Sequence, residues 1–294
     1  LARRTGQCAA DAPHPHLFLG VAQPGQGCFG LCALGPVMIT QPDGCFYAHL
    51  EMDHIPEIIE KHIIGGQPIR EYLYQETVQG NGILKYTETP FYGSQERVVL
   101  RNCGVIAPDN IEHYIARDGY QALAKALLTM SADDIIKELE TSGLKGRGGA
   151  GFPTYLKWTF TRNAKGDEKY VCCNADEGDP GAFMNRSVLE GDPHSVLEAM
   201  AIAGYVVGSH QGYIYVRAEY PIAVEHLNIA IAQARELGLL GKNILGTGFD
   251  FDIELRLGAG AFVCGEETAL MRSIEGKRGE PRVRPPFPAN QGLF

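Results

Sequence analysis

The chain has 294 residues, 45% hydrophobic and 21% charged, enough for one large and one small globular domain. Its formal net charge of −9 argues against a surface that tracks nucleic-acid phosphates, so no nucleic-acid partner is expected. No apolar run reaches the roughly 18–20 residues that span a bilayer. The stretch LFLGVAQPGQGCFGLCALGPVM is broken by Gly, Pro and Gln and lacks the charged start of a signal peptide. The expectation is a cytoplasmic protein with no direct membrane insertion.

In chain order, residues 1–34 read as irregular. Residues 36–50 read as two short strands around Pro42-Asp43-Gly44. Helical spacing over 55–63 predicts a helix ended by Gly65-Gly66. Residues 67–110 show little periodicity and read as linker. EHYIARDGYQALAKALLTM reads as one amphipathic helix, and Ser131 with Asp134 as a loose capping box opening the next. KYVCCNAD (169–176) predicts a buried strand, and Asp192-Pro193 a helix to about Val207. GYIYVRAEY predicts a strand, Pro221 a helix to about Leu239, FDIELRLG a strand and EETALMRSIEG a helix. Strands alternating with long helices predict an α/β domain with a largely parallel sheet.

Eight cysteines are present, four of them in the first 45 residues. Cys103, Cys172, Cys173 and Cys264 sit among apolar residues and read as buried small hydrophobes.

Three segments carry chemistry. GLKGRGGAGFPTYLKW (143–158) packs Gly146, Gly148, Gly149 and Gly151 into six positions, which lets backbone N–H groups approach a ligand. The stretch matches G-x-G-x-x-G, but a helical segment precedes it where a dinucleotide fingerprint needs a strand. A phosphate or flavin cradle of another topology stands against a ligand-free glycine turn. Arg147 and Lys157 read as phosphate partners or as solvated cations. Phe152, Trp158 and Phe160 read as a stacking face or as core. NADEGDPGAF (174–183) follows a strand end, where ligands bind in open α/β sheets. Its Asp176, Glu177 and Asp179 repel one another unless they face hydroxyls, amides, a metal or water. GAGAFVCGEETALM (258–271) repeats strand, glycines (Gly265 among them), then Glu266-Glu267 at a helix start, where the helix dipole alone suffices to explain the glutamates.

Together with EGKRGEPRVRPPFPA, these motifs in this order resemble the flavoprotein subunit of respiratory NADH dehydrogenase. They resemble still more closely the corresponding subunits of soluble NAD-linked, electron-bifurcating hydrogenases and formate dehydrogenases, as does FYGSQERVVLRNCGVIAPDNIEHYIARDGY. The match covers roughly residues 36–290. It implies an NADH-oxidising oxidoreductase with FMN and NAD(H) as cofactors, the hydride passing between them. Single electrons then pass to iron–sulfur clusters, one of them held by the full-length family member itself and others by partner iron–sulfur subunits of a hetero-oligomeric redox complex.

Carried residue by residue, the resemblance implies that Gly146, Arg147, Gly148, Gly149 and Lys157 contact flavin and that Asn174 and Asp176 reach it. Phe152, Phe160 and Phe287 sandwich the adenine or close the pocket. Glu266 and Glu267 lie by flavin and nicotinamide. Glu267 and Asp179 are the catalytic candidates, and Gly265 lines the site. Some residues depart from the family pattern. Asp179 stands for Glu, Tyr155 for Gly and Asn185 for Asp; Phe262 and Arg284 stand for the Tyr and Lys of the respiratory members.

The expected layout is a partial thioredoxin-like [2Fe–2S] ferredoxin-like segment (1–75), a linker (76–110) and a Rossmann-like FMN/NADH-binding α/β domain (111–294). Both ends, at Leu1 and Phe294, read as cut. The family continues with a stretch that helps hold the FMN phosphate, a ubiquitin-like domain and a helical [4Fe–4S] domain, so a chain ending at Phe294 is expected to bind flavin weakly or not at all. Cys28-Phe-Gly-Leu-Cys32 resembles the tail of the ferredoxin domain, which makes Cys8, Cys28 and Cys32 the metal-ligand candidates. The alternative there is a degenerate domain with free thiols. For the whole chain, the alternative is a remnant subunit that serves as a cofactor-free scaffold.

Overall fold

The protein is described from a computed structural model covering residues 32–40, 43–79, 82–83, 85–179 and 181–294. These form two compact units, 32–98 and 99–294.

In the first unit, β1 (Met38–Ile39) and β2 (Phe46–Tyr47) pair antiparallel, with Met38 opposite Tyr47. Their turn is closed by Gly44 N–H to Thr40 O at 2.9 Å, and Gly44 takes φ +70°, which favours glycine. Helix α1 (His54–Glu57) runs on into a π-helical stretch, Ile58–Ile64, capped by Gly65. Met38, Tyr47, Leu50, Ile58 and Leu73 form the core. Leu73 comes from the segment read as linker. That segment folds as short 3₁₀ turns (Arg70–Tyr72, Gln75–Thr77), a hairpin of β3 (Val78–Gln79) and β4 (Gly82–Ile83), and the one-turn helix α2 (Pro90–Gly93). None of these is long enough to show a helical or strand period. Cys8 and Cys28 lie outside the described residues, and Cys32 opens a 3₁₀ turn, Cys32–Leu34.

The second unit begins with four helices: α3 (Ile111–Ile115), α4 (Gln121–Thr129), α5 (Ala132–Ser142) and α6 (Thr154–Asn163). Then come β5 (Tyr170–Ala175), α7 (Met184–Gly191), α8 (Pro193–Val207), β6 (Gln211–Arg217), α9 (Pro221–Glu236), β7 (Gly241–Ile244), β8 (Phe249–Gly258) and α10 (Glu267–Ile274). The sheet order is β5-β6-β8-β7, with β5, β6 and β8 parallel and β7 antiparallel. This is the α/β, parallel-rich architecture expected from the alternation.

Strand β6 shows how the layers form. Its side chains alternate between faces. Ile214 and Val216 join one core cluster with Leu197 and Ala201 of α8 and Leu227 of α9. Tyr213 and Tyr215 join another with Leu270 and Ile274 of α10. A strand covered on both faces reads as a continuous apolar run, as β6 does. Helix α8 lies close: a Cβ on Gly204 would come within 2.5 Å of the Phe251 ring.

The sequence reading of 112–130 as one helix is corrected. The helix stops after Ile115 and restarts at Gln121, with Asp118 at φ +67° and Tyr120 at φ +62°. Two features explain the break. A Cβ on Gly119 would lie 2.2 Å from the Tyr114 ring. Buried Glu198 on α8 accepts from Tyr120 N–H and Leu123 N–H (2.9 Å each) and from Tyr114 Oη (2.6 Å), so the chain bends to present its amides to that carboxylate. The capping box is present: Asp134 N–H meets Ser131 Oγ at 3.2 Å and Ser131 N–H meets Asp134 Oδ2 at 2.8 Å. The expected burial of Cys172 is also corrected. It is exposed and Cys173 is half-buried, because β5 is only partly covered on its faces, while Cys103 and Cys264 are buried.

Replacing Glu198 by Ala strands three buried donors at once. The expected loss is about 2–4 kcal/mol, read as a lower urea midpoint with an unchanged slope. An unchanged midpoint would show that the carboxylate does not hold the α3–α4 break.

Candidate functional site

The register of the parallel strands places Ala175 opposite Val216, and Val216 opposite Leu257. The carboxyl ends of β5, β6 and β8 therefore share one edge, the side on which open α/β sheets bind ligands. Three segments leave from it: the acidic turn after β5, residues 217–220 after β6, and the glycine turn after β8.

The glycine loop lies between α5 and α6. Its base is closed by Gly146 N–H to Phe152 O (2.9 Å) and Thr154 N–H to Leu144 O (3.0 Å). Arg147 to Gly151 project beyond it, exposed. Among the described residues, no protein acceptor meets the N–H groups of residues 147–151. Gly149 (φ +97°) and Gly151 (φ +60°) hold left-handed backbone, and a Cβ at Gly148, Gly149 or Gly151 would meet nothing within 4 Å. These glycines keep a surface open without packing against the protein.

In the acidic turn the three carboxylates have separate fates. Glu177 is buried and accepts from the first amides of α7, Asn185 N–H (3.1 Å) and Arg186 N–H (3.0 Å), so it acts as a helix cap. Asp179 is exposed and accepts from Gly181 N–H at 2.9 Å. Asp176 is buried, and its Oδ2 has no hydrogen-bond partner. Burial pushes the Asp176 carboxyl up, Arg217 opposes the rise and Glu219 adds to it. Asn174 Nδ2 donates to Gly265 O (2.7 Å) and Asn174 Oδ1 accepts from Asp176 N–H (3.2 Å), tying the acidic turn to the glycine turn after β8.

Glu266 caps α10. Its Oε2 accepts from Thr268 N–H and Ala269 N–H, both at 2.9 Å. Arg284 pairs with Glu266 and, at 3.0 Å, with Glu267; Lys157 of α6 stands 3.6 Å from Glu267. Burial acts to raise the Glu266 carboxyl, but the Thr268 hydroxyl, the two amides and Arg284 outweigh it and hold it below the ordinary carboxylate value.

Several of the sequence-derived residues therefore come together. Lys157, Glu266, Glu267 and Arg284 form one charge cluster, and Asn174 meets Gly265. Phe152 and Phe160 are exposed, their ring centroids 6.4 Å apart. Phe262 is exposed over Gly178, where a Cβ would lie 2.6 Å from its ring. Phe287 is exposed on the proline-rich segment. Arg147, Gly148 and Gly149 stay in the projecting part of the loop, and Gly146 in its base. Trp158 turns the other way and packs with Ile135 and Val206. Sequence reasoning missed Arg217, which donates to Glu177 O at 2.8 Å and lies in the field of Asp176. Its place at the carboxyl end of β6 was the available signal.

The unpartnered Asp176 carboxylate thus lies at the carboxyl edge of a parallel sheet, where open α/β domains bind ligands, and the glycine loop offers open amides. The family described as the Nuo51 FMN-binding domain matches residues 139–294. The chain belongs to that family. It is 62% identical over 200 residues to the NADP-reducing hydrogenase protein HndC of Solidesulfovibrio fructosivorans, covering 68% of this chain and 40% of that protein. It is 49% identical over 199 residues to an NADH-quinone oxidoreductase subunit of Rhizobium meliloti (strain 1021), covering 68% of this chain and 47% of that one. A crystal structure of NAD+-reducing [NiFe]-hydrogenase in the H2-reduced state matches with a TM-score of 0.55 at 30% identity, over 91% of this chain and 41% of that chain. The chain thus spans less than half the length of these relatives.

Because the folded-state pKa of Glu266 is lowered, the stability this carboxylate supplies is complete above its ordinary value of 4.5 and is lost as pH falls through the folded value. The melting-temperature gap between the wild type and Glu266→Gln should be constant above that pH and should close below it. A gap that persists under acid would mean that the cap does not depend on charge.

Proposed function

We propose that this chain is the NADH- and FMN-binding part of an oxidoreductase subunit that takes a hydride from NADH. Its electrons then pass singly to iron–sulfur clusters of a multi-subunit complex, including one expected in full-length members of the family. The observation that carries this reading is the unpartnered Asp176 carboxylate together with free glycine-loop amides, both in a chain of the FMN-binding family. A buried acceptor without a donor is costly unless a ligand supplies one. Loop amides with open space around them suit a phosphate. The residues present therefore fit FMN.

The Arg147–Gly151 loop would hold the phosphate, with Arg147 adding charge. Asp176 and Asn174 would hold the polar edge of the ring system. Phe152 and Phe160 offer exposed faces for the nucleotide donor, with Phe287 closing over it. Glu267, paired with Arg284 and Lys157, would orient the nicotinamide end, and Asp179 would stand by it. Bound FMN would supply a two-electron acceptor that releases electrons singly. The residues' own contribution is stacking, orientation and exclusion of water, because hydride transfer needs alignment more than acid–base help. The carboxylates at this edge disfavour a 2′-phosphate, so NADH is the favoured donor.

Residues 1–75 are proposed as a partial thioredoxin-like segment, a reading supported by the hairpin-then-helix order after Cys32. The proposed location is the cytoplasm, in a hetero-oligomeric redox complex. Among the described residues no helix is long and apolar enough to cross a membrane.

The test is anaerobic. The purified chain is mixed with FMN, freed of excess flavin and titrated with NADH or NADPH. NADH should bleach the flavin band stoichiometrically, and NADPH more slowly. A chain that retains no flavin, or retains flavin that ignores NADH, would contradict the proposal and favour a cofactor-free scaffold.

Asp176→Asn removes a buried charge without changing shape, so thermal stability at neutral pH should hold or rise. FMN affinity should fall about tenfold or more, as for the loss of a charged hydrogen bond. Both are read by thermal melts and flavin fluorescence quenching. A large stability loss would instead make Asp176 a structural residue.

A further inference from the structure

Beyond the nucleotide site, the first unit contains a second cluster of chemically able side chains. Asp43 and Cys45 flank Gly44 in the β1–β2 turn, and His62 projects from the π-helical stretch after α1. One ligand atom from each lies within 4.8 Å of the other two. Each of two residues has its far atom fixed by a neighbour. Thr40 Oγ1 donates to Asp43 Oδ1 at 2.7 Å. Tyr47 Oη, which accepts from Ile69 N–H (3.2 Å), meets His62 Nδ1 at 2.7 Å. The Asp43 carboxylate can only accept, so His62 Nε2 donates to its Oδ2 at 2.6 Å. The two ligand atoms Nε2 and Oδ2 are in contact with each other, and the Cys45 sulfur lies within 4.8 Å of both.

We propose that Asp43, Cys45 and His62 form a binding site for one thiophilic divalent cation of the zinc type. Thiolate, imidazole and carboxylate are the ligand types such ions take, at bond lengths of about 2.0–2.3 Å. In a tetrahedron this sets ligand atoms roughly 3.3–3.8 Å apart, so Nε2 and Oδ2, now hydrogen-bonded, separate by about 1 Å to admit the ion. Cys45 and His62 are buried, whereas the Asp43 side chain is 39% exposed, which leaves a path for the cation and for water as fourth ligand. The charges balance: one thiolate and one carboxylate neutralise a divalent ion in a mostly buried place. The thiol proton leaves to solvent, and the imidazole stays neutral, its proton passing from Nε2 to Nδ1. Tyr47 and Thr40 are positioning residues in this arrangement, fixing the orientation of the imidazole and the carboxylate. Burial and the neighbouring carboxylate push the Cys45 thiol up to about 12, so the ion itself must displace that proton.

The test uses the 294-residue chain, reduced and stripped with chelator, titrated with cobalt(II) as a coloured probe and then with zinc. One equivalent of cobalt should give a thiolate-to-cobalt charge-transfer band and tetrahedral d–d bands, both abolished by zinc. Cys45→Ala should lose the charge-transfer band. Asp43→Asn, which keeps the side-chain volume, and Tyr47→Phe should each weaken binding about 10–100-fold. A triple Cys8→Ser, Cys28→Ser, Cys32→Ser variant should keep the band, which separates this site from the N-terminal cysteines. Circular dichroism reports whether Cys45→Ala folds; if it does not, Asp43→Asn in the triple background decides. The proposal is overturned if wild type shows no thiolate band, if the triple variant loses it, or if Asp43→Asn binds as tightly as wild type.

Discussion

The parallel alignment of β5, β6 and β8 is the constraint on which the second unit depends. Asn174, Tyr215 and Arg256 lie side by side across the three strands, and one residue later Ala175, Val216 and Leu257 do the same. Because side chains alternate along a strand, a slip of one residue would exchange the two faces of β6. Tyr213 and Tyr215 would then meet α8 and α9 while Ile214 and Val216 met α10. The buried clusters on both faces forbid that slip, so the packing of the core fixes where the acidic turn, Arg217 and the glycine turn emerge. The site is accordingly a consequence of layer packing as much as of its own residues.

At that edge the polar groups divide into those the protein satisfies and those it leaves open. Glu177 is consumed by the amides that begin α7, and Glu266 by those that begin α10. Each of these caps joins a turn from the sheet edge to a helix. The Asp176 oxygen and the 147–151 amides are left open. The charge cluster of Lys157, Arg284, Glu266 and Glu267 sits between these extremes, being paired internally but exposed enough for a ligand to compete. Exposed ion pairs of this kind contribute little to stability, so exchanging one for a ligand contact costs little.

Much of this was legible in the sequence, for identifiable reasons. Proline at the first turn announced α8 and α9, Ser131 announced α5, and GYIYVRAEY announced β6 as a strand. Glycine density and clustered carboxylates marked three segments, two of which leave the carboxyl edge of the sheet. The misses have physical causes. Helix α6 mixes aromatic, cationic and threonine residues without an apolar stripe, so it shows no helical period. Helix α7 is only eight residues long and is started by Glu177 from a distance. Strand β7 pairs through GKNI, which has no alternation to read. The break after Ile115 depends on Glu198, 78 residues beyond Tyr120, which no local pattern encodes. The Asp43–His62 contact is equally non-local, 19 residues apart and joined only by the fold.

The proposed function requires the glycine loop and the acidic turn to act together as one ligand cradle. The most direct measurement of this is backbone hydrogen exchange of the chain with and without FMN, resolved at residues 147–151, 174–178 and 262–268. A shared cradle predicts fast exchange of the 147–151 amides in the free chain, marked slowing of all three segments together on FMN addition, and little change elsewhere. Slowing in other segments while residues 147–151 continue to exchange freely would contradict it.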